Sequence, residues 1–191
     1  MKQIVILFVV LCALVLPAHS MAQTEAEMIN AKDLRDYVVV PTLESMGEVF
    51  PGANSEHAVN LLIGTVFQES VFGDETRLKQ VQGPALGIYQ IEPATNQDTW
   101  DNYLAFREDR ASWVRGLASQ NCSDFDAELV TNLRYATAIA RIKYWRSQFE
   151  WPEDAKDTYA LGVIWNDHYN ANPVHGFPED FVKAFPDREL F

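Results

Sequence analysis

Apolar positions along this chain recur mostly at helical spacing. The clearest case is Val59, Leu62, Ile63, Val66 and Phe67, three and four residues apart, which predicts a largely buried helix. Asn54 or Ser55 stands where its N-cap belongs. Upstream, the polar stretch 23–36 predicts a helix from near Glu25 through Tyr37 and Val38 to Met46, which Pro41 interrupts or kinks. Val38-Val39-Val40 reads alternatively as a short strand. Phe50-Pro51-Gly52 is a turn, and residues 73–85, with Gly73, Gly83 and Pro84, read as loop. Gly87 to Ile91 is a strand or an extended turn. Further helices are expected over 96–106, Ala111–Leu117, one long stretch Asp126–Gln148, Asp154–Tyr169, and a short one around Glu179–Phe185. The class is mainly α, with at most a small β-hairpin.

The first segment departs from this pattern. Lys2 precedes an unbroken apolar run of 13 residues, Ile4 to Leu16, then Pro17 and small residues at Ser20 and Ala22. That is the pattern of a secretory signal over residues 1–22, cleaved after Ala22 or after Ser20, with an uncleaved anchor as the alternative. A membrane span needs about 20 apolar residues, so this run is short for one, and no stable span is expected after cleavage. Residues 23–191 show no repeat or low-complexity linker and read as a single domain, exported to the periplasm or outside the cell.

Charge then narrows the partners. Lys+Arg 15 against Asp+Glu 27 gives a net charge of -12 in 191 residues, which argues against nucleic acid. The hydrophobic share of 48% excludes a disordered chain. Cys12 and Cys122 are the two cysteines; loss of Cys12 with the leader leaves no internal disulfide. His168 and His175 lack the spacing of a metal site, and nothing in the sequence calls for a cofactor.

Candidate chemistry centres on Glu69. It ends the apolar helix and shares a face with Val66 and Leu62. A carboxyl beside apolar side chains loses hydration, which favours the protonated form that a general acid needs near neutral pH. The alternative is a helix-end Glu turned to solvent.

Three segments carry a resemblance. Gln68-Glu69-Ser70, then Gly83-Pro84-Ala85-Leu86-Gly87-Ile88-Tyr89-Gln90-Ile91-Glu92-Pro93-Ala94-Thr95, then Tyr169-Asn170 after Ala160-Leu161-Gly162, resemble in order and spacing the goose-type lysozymes and soluble lytic transglycosylases of the lysozyme-like superfamily. The chain looks most similar to phage-encoded lysozyme-like proteins, down to the tail Gly176-Phe177-Pro178-Glu179-Asp180-Phe181. It departs from the common pattern at Tyr89, Glu92 and Asn172. The resemblance implies a lysozyme-like α-helical domain that cuts the β-1,4 bond between N-acetylmuramic acid and N-acetylglucosamine in peptidoglycan glycan strands. In the family's transglycosylase members one Glu, here Glu69, serves alone as acid and then base, the substrate N-acetyl group taking the place of a second carboxylate. A hydrolytic member would use a second carboxylate, for which Glu92, Asp74 and Asp98 are candidates.

Ser70, Tyr89, Gln90, Tyr169 and Asn170 are the expected substrate-binding residues. Gln90 offers an amide to an N-acetyl or hydroxyl group, or a structural bond across its loop. Tyr89 stacks on sugar or packs in the core, and the Tyr169 phenol is expected to orient the Glu69 carboxyl. Trp100, Trp113, Trp145, Trp151 and Trp165 read as packing. Arg134, Arg141 and Arg146 could meet an anionic wall or simply face solvent. Two functions emerge: an exported or virion-associated wall-cleaving enzyme, or a non-catalytic virion structural protein that keeps the fold and binds virion or envelope partners. The acidity fits the second, because an anionic wall repels an acidic protein unless something delivers it.

Overall fold

The computed structural model describes residues 30–70, 81–170 and 176–186. The expected leader and the helix start near Glu25 lie outside these residues, as do Asp74 and His175. Among the described residues no helix is long and apolar enough to cross a membrane.

The first helical run is continuous from Ala31 to Met46 but changes pitch twice. It comprises α1 (Ala31–Asp33), a π-helical segment (Leu34–Val39) and α2 (Val40–Met46). Pro41 therefore neither breaks the run nor leaves Val38–Val40 as a strand. A proline inside a helix lacks its N–H and crowds the carbonyl four residues back. The wider π turn ends at Val39, two residues before Pro41, and the Val40 N–H reaches Arg35 O. That loosened spacing accommodates the ring.

Helix α3 (Glu56–Ser70) runs through the centre, with the Ser55 hydroxyl accepting from the Ala58 N–H at 3.3 Å. Ala58 to Val66 are all buried. The helix packs against the π segment, α7, α8 and α9. Strands β1 (Val81–Gln82) and β2 (Ala85–Leu86) form a minimal antiparallel pair at the end of the stretch 73–85 expected as loop. The chain continues through α4 (Pro93–Asn102), a 3-10 turn (Leu104–Phe106) and α5 (Glu108–Leu117).

The long helix expected over 126–148 is two helices, α6 (Phe125–Thr131) and α7 (Leu133–Arg146). Asn132 breaks it in extended conformation. Its side-chain oxygen caps α7 by accepting from the Tyr135 N–H, while its amide donates to Leu117 O and to Glu128. Asparagine competes well for such local bonds, and here they outweigh helix continuation. Helices α8 (Thr158–His168) and α9 (Pro178–Ala184) close the fold. Asp157 caps α8, so that helix begins later than the sequence pattern suggested. At Gly64 of α3 a β-carbon would lie 2.2 Å from the Phe181 ring, so only glycine lets α9 press this close. Among the described residues the result is a mainly α fold with one small hairpin.

Candidate active site

Glu69 occupies the last turn of α3, and the neighbouring helices determine its surroundings. The Trp165 indole N–H, from α8, donates to Glu69 Oε1 at 2.8 Å. Burial raises the Glu69 carboxyl above its ordinary range. The Trp165 bond and the nearby Lys143 ammonium pull the other way. Burial is the larger effect, so the site favours the proton. No second carboxylate acts on Glu69 among the described residues.

Beneath the carboxyl lies a layer of buried phenols. Thr65, one turn before Glu69, shares a hydrogen bond of 2.8 Å with the Tyr144 hydroxyl. The Tyr144 ring stacks on Tyr169 with centroids 5.0 Å apart. Burial pushes both phenols well up, and the Glu69 charge adds to that. Lys143 Nζ stands 3.8 Å from the Tyr169 ring centroid and donates to Tyr169 O at 2.7 Å.

The segment after β2 forms the other wall. Leu86 and Ile91 exchange both backbone hydrogen bonds, at 3.0 and 2.9 Å, and enclose the turn Gly87–Gln90. Gly87 has φ +70, and a β-carbon there would lie 1.9 Å from Leu129 O, so the position accepts no other residue. Gln90 itself adopts φ 45, and its side-chain amide donates to Gly87 O at 2.7 Å. That bond braces a conformation which non-glycine residues seldom adopt. Ser70 donates to Ile88 O and ties this turn to the end of α3.

The expected site residues therefore converge, but three of them do different work, the first being Ser70, which is fully buried with its hydroxyl on Ile88 O and offers nothing to a sugar. The Tyr89 ring is fully buried, with its hydroxyl 3.2 Å from Thr137 Oγ1, so it presents no face to a sugar and belongs to the core. The Tyr169 hydroxyl donates to Tyr89 O at 2.8 Å. A phenol has one proton, so Tyr169 has none left for the carboxyl and instead pins the Gly87–Gln90 turn. Asn170 follows it, half-buried, with its N–H on Trp165 O at 3.0 Å. Gly176, at φ +100, lies close to both the Trp165 ring and the Asn170 amide.

Of the other carboxylates, Asp98 pairs with Arg146 at 2.6 Å and is held below its usual range by Asn102 and that arginine. Glu92 is exposed just before α4 and lies within electrostatic reach of Lys143. Arg141 is buried, donating to Ala53 O at 3.1 Å beside Trp145 and Trp151, so it faces no wall. Burial takes its guanidinium down to about 10. Arg134 is exposed and reaches Thr42. No cluster of His, Cys, Asp or Glu suited to a metal occurs among the described residues. A concavity of about 570 Å³, bounded by Asp157 and Tyr159 of the α8 start and Glu179 and Lys183 of α9, shares no residue with the site.

Trp165 and Lys143 are the residues that sequence reasoning missed. Trp165 lies 96 positions from Glu69 and looked like packing. Lys143 did leave a signal: it continues the stripe Ala136, Ile139, Ala140 on α7, where a charge is out of place. No protein family, curated protein or solved structure matches the chain.

Proposed function

We propose that this protein is a peptidoglycan-cleaving glycosidase, a lytic transglycosylase or lysozyme of lysozyme-like fold, in which Glu69 is the general acid and base. The observation that carries the reading is a half-buried carboxyl, biased toward its protonated form and held by the Trp165 indole N–H, with no second carboxylate acting on it among the described residues. This fits a reaction in which one group moves the proton twice. Glu69 protonates the oxygen linking N-acetylmuramic acid to N-acetylglucosamine, and the C1–O bond breaks. The N-acetyl carbonyl oxygen closes on C1 from the opposite side. The Glu69 carboxylate then takes the proton of the muramyl 6-hydroxyl as that oxygen bonds to C1 and displaces the acetyl oxygen. The product is a 1,6-anhydro end, and the carboxyl is restored. Gln90 and Asn170, both half-buried, are the candidate sugar contacts.

Location outside the cytoplasm or on a phage particle follows from the leader pattern and the resemblance, and it remains part of this proposal. The net charge of -12 favours a second reading, a virion structural protein that keeps the fold without catalysis. Digestion of purified peptidoglycan with residues 23–191, followed by mass spectrometry, separates the possibilities. Anhydromuramic ends are expected. Reducing ends would make the protein a hydrolase and direct attention to Glu92, Asp74 and Asp98. Intact glycan would leave the structural reading.

A further inference from the structure

One cation beside Glu69 has no role in the reaction above. Lys143 meets Tyr169 twice, through a 2.7 Å bond to its carbonyl and through its ring face 3.8 Å away. Tyr169 is where α8 ends, and both its N–H and that of Asn170 turn back onto Trp165 O, at 2.8 and 3.0 Å. The ammonium therefore fastens the turn that carries the Glu69 hydrogen-bond donor. Lys143 makes no ion pair among the described residues, so its charge is not neutralised by direct contact with a carboxylate.

The geometry points to Lys143 as a positioning residue for Glu69. It locks the Trp165–Tyr169 turn so that the indole N–H meets the carboxyl, and it holds a positive charge within reach of the carboxylate that forms when Glu69 gives up its proton. Its effect on rate rests on the glycosidase reading; its effect on Glu69 ionisation does not. Among the described residues the groups that face Glu69 are Lys143 and Tyr144 from α7, Trp165 from α8, and Tyr169 from the turn after it. Glu92 faces Lys143 from the start of α4. Burial lowers the Lys143 ammonium, while Glu69 and Glu92 raise it again, so the two site charges support each other. A glycosidase acid must be protonated to begin and stable as a carboxylate once the bond has broken. Burial serves the first requirement and Lys143 serves the second.

The test compares the full chain with Lys143→Met and Lys143→Arg. The Glu69 carboxyl is titrated by carbon NMR, assigned through Glu69→Gln, alongside the pH dependence of peptidoglycan cleavage. In Lys143→Met the Glu69 midpoint and the basic limb of kcat/KM should both move to higher pH. Plateau kcat should fall several-fold with KM nearly unchanged. Lys143→Arg, which keeps the charge, should restore most of the midpoint. Should the Met variant fail to fold, the reciprocal measurement decides: Glu69→Gln must lower the titration midpoint of the Lys143 ammonium, because coupling between two sites is mutual. An unmoved Glu69 midpoint in Lys143→Met, or an unmoved Lys143 midpoint in Glu69→Gln, overturns the assignment. A wild-type chain that leaves peptidoglycan intact would overturn the glycosidase reading instead, and the NMR titrations would still decide the role of Lys143.

Discussion

Replacing Glu69 with glutamine should end wall cleavage and, at neutral pH, make the protein more stable. Burial holds the folded-state carboxyl above its ordinary value of 4.5, and Trp165 and Lys143 offset this only in part. The folded chain therefore binds this proton more tightly than the unfolded chain does. Stability from that proton is fully present below pH 4.5 and is lost as pH rises through the folded midpoint. Each pH unit between the two midpoints is worth about 1.4 kcal/mol. Glutamine keeps an oxygen for the Trp165 N–H, carries no charge to desolvate and has nearly the same volume.

Melting curves of the two proteins should coincide below pH 4.5 and separate above it, the variant melting higher. For a chain of this length each 1 kcal/mol corresponds to about 2–4 °C, so the variant should melt measurably higher at pH 7. Calorimetry across pH 4 to 8, alongside a turbidity assay on peptidoglycan, reads both effects. A variant that melts below wild type at pH 7 would refute the reasoning. So would a gap of equal size at both ends of the range, since a pH-independent difference cannot come from this carboxyl.

Trp165→Phe removes the donor to Glu69 Oε1 and should lower kcat by roughly ten- to a hundredfold, the worth of a hydrogen bond to a charged group at about 1.5–3 kcal/mol. The basic limb of its pH profile should move upward, and a profile superimposable on wild type would exclude the role. Tyr169→Phe leaves the buried Tyr89 carbonyl without its partner and should reduce stability by about 1–3 kcal/mol in chemical denaturation, with the rate per folded molecule little changed. A large loss of rate at unchanged stability would instead assign the hydroxyl to the chemistry. Wall lysis should rise with moderate salt, because screening weakens repulsion between an acidic protein and an anionic wall. A steady decline from the lowest ionic strength would show that attraction brings the two together.

Helix α3 and its closing Glu69 were legible because a stripe of apolar residues defines a buried face without help from the rest of the chain. Helices α5, α8 and α9 were readable for the same reason, to within a few residues at their ends. The break at Asn132 was not. It depends on Leu117 O and Glu128 arriving beside the amide, and Leu117 comes from another helix. Pro41 does not end the run because a π turn, which the residue pattern does not announce, ends two residues before it. At the site, the segments that converge could be picked out in order along the chain, but hydrogen-bond direction could not. Whether the Tyr169 proton goes to a carboxyl or to a carbonyl depends on a separation of a few ångströms between parts of the chain 80 residues apart.

The acidity and the proposed chemistry are reconciled by where the basic residues sit. Arg110 donates to Val49 O and covers the Phe50 ring, and Arg107 donates to Tyr103 O and covers the Tyr103 ring. Arg141 and Lys143 likewise meet a backbone carbonyl and an aromatic face. Within the described residues none of these four makes an ion pair, so each serves the interior and none neutralises a surface carboxylate. The net charge of -12 keeps the field felt at a distance negative, while the field at Glu69 includes a nearby positive charge. Long-range attraction to an anionic wall and local support of a catalytic carboxylate are separate requirements, and the proposed chemistry needs only the second from this sequence. An enzyme brought to its substrate by another body, such as a phage particle, has no need of the first.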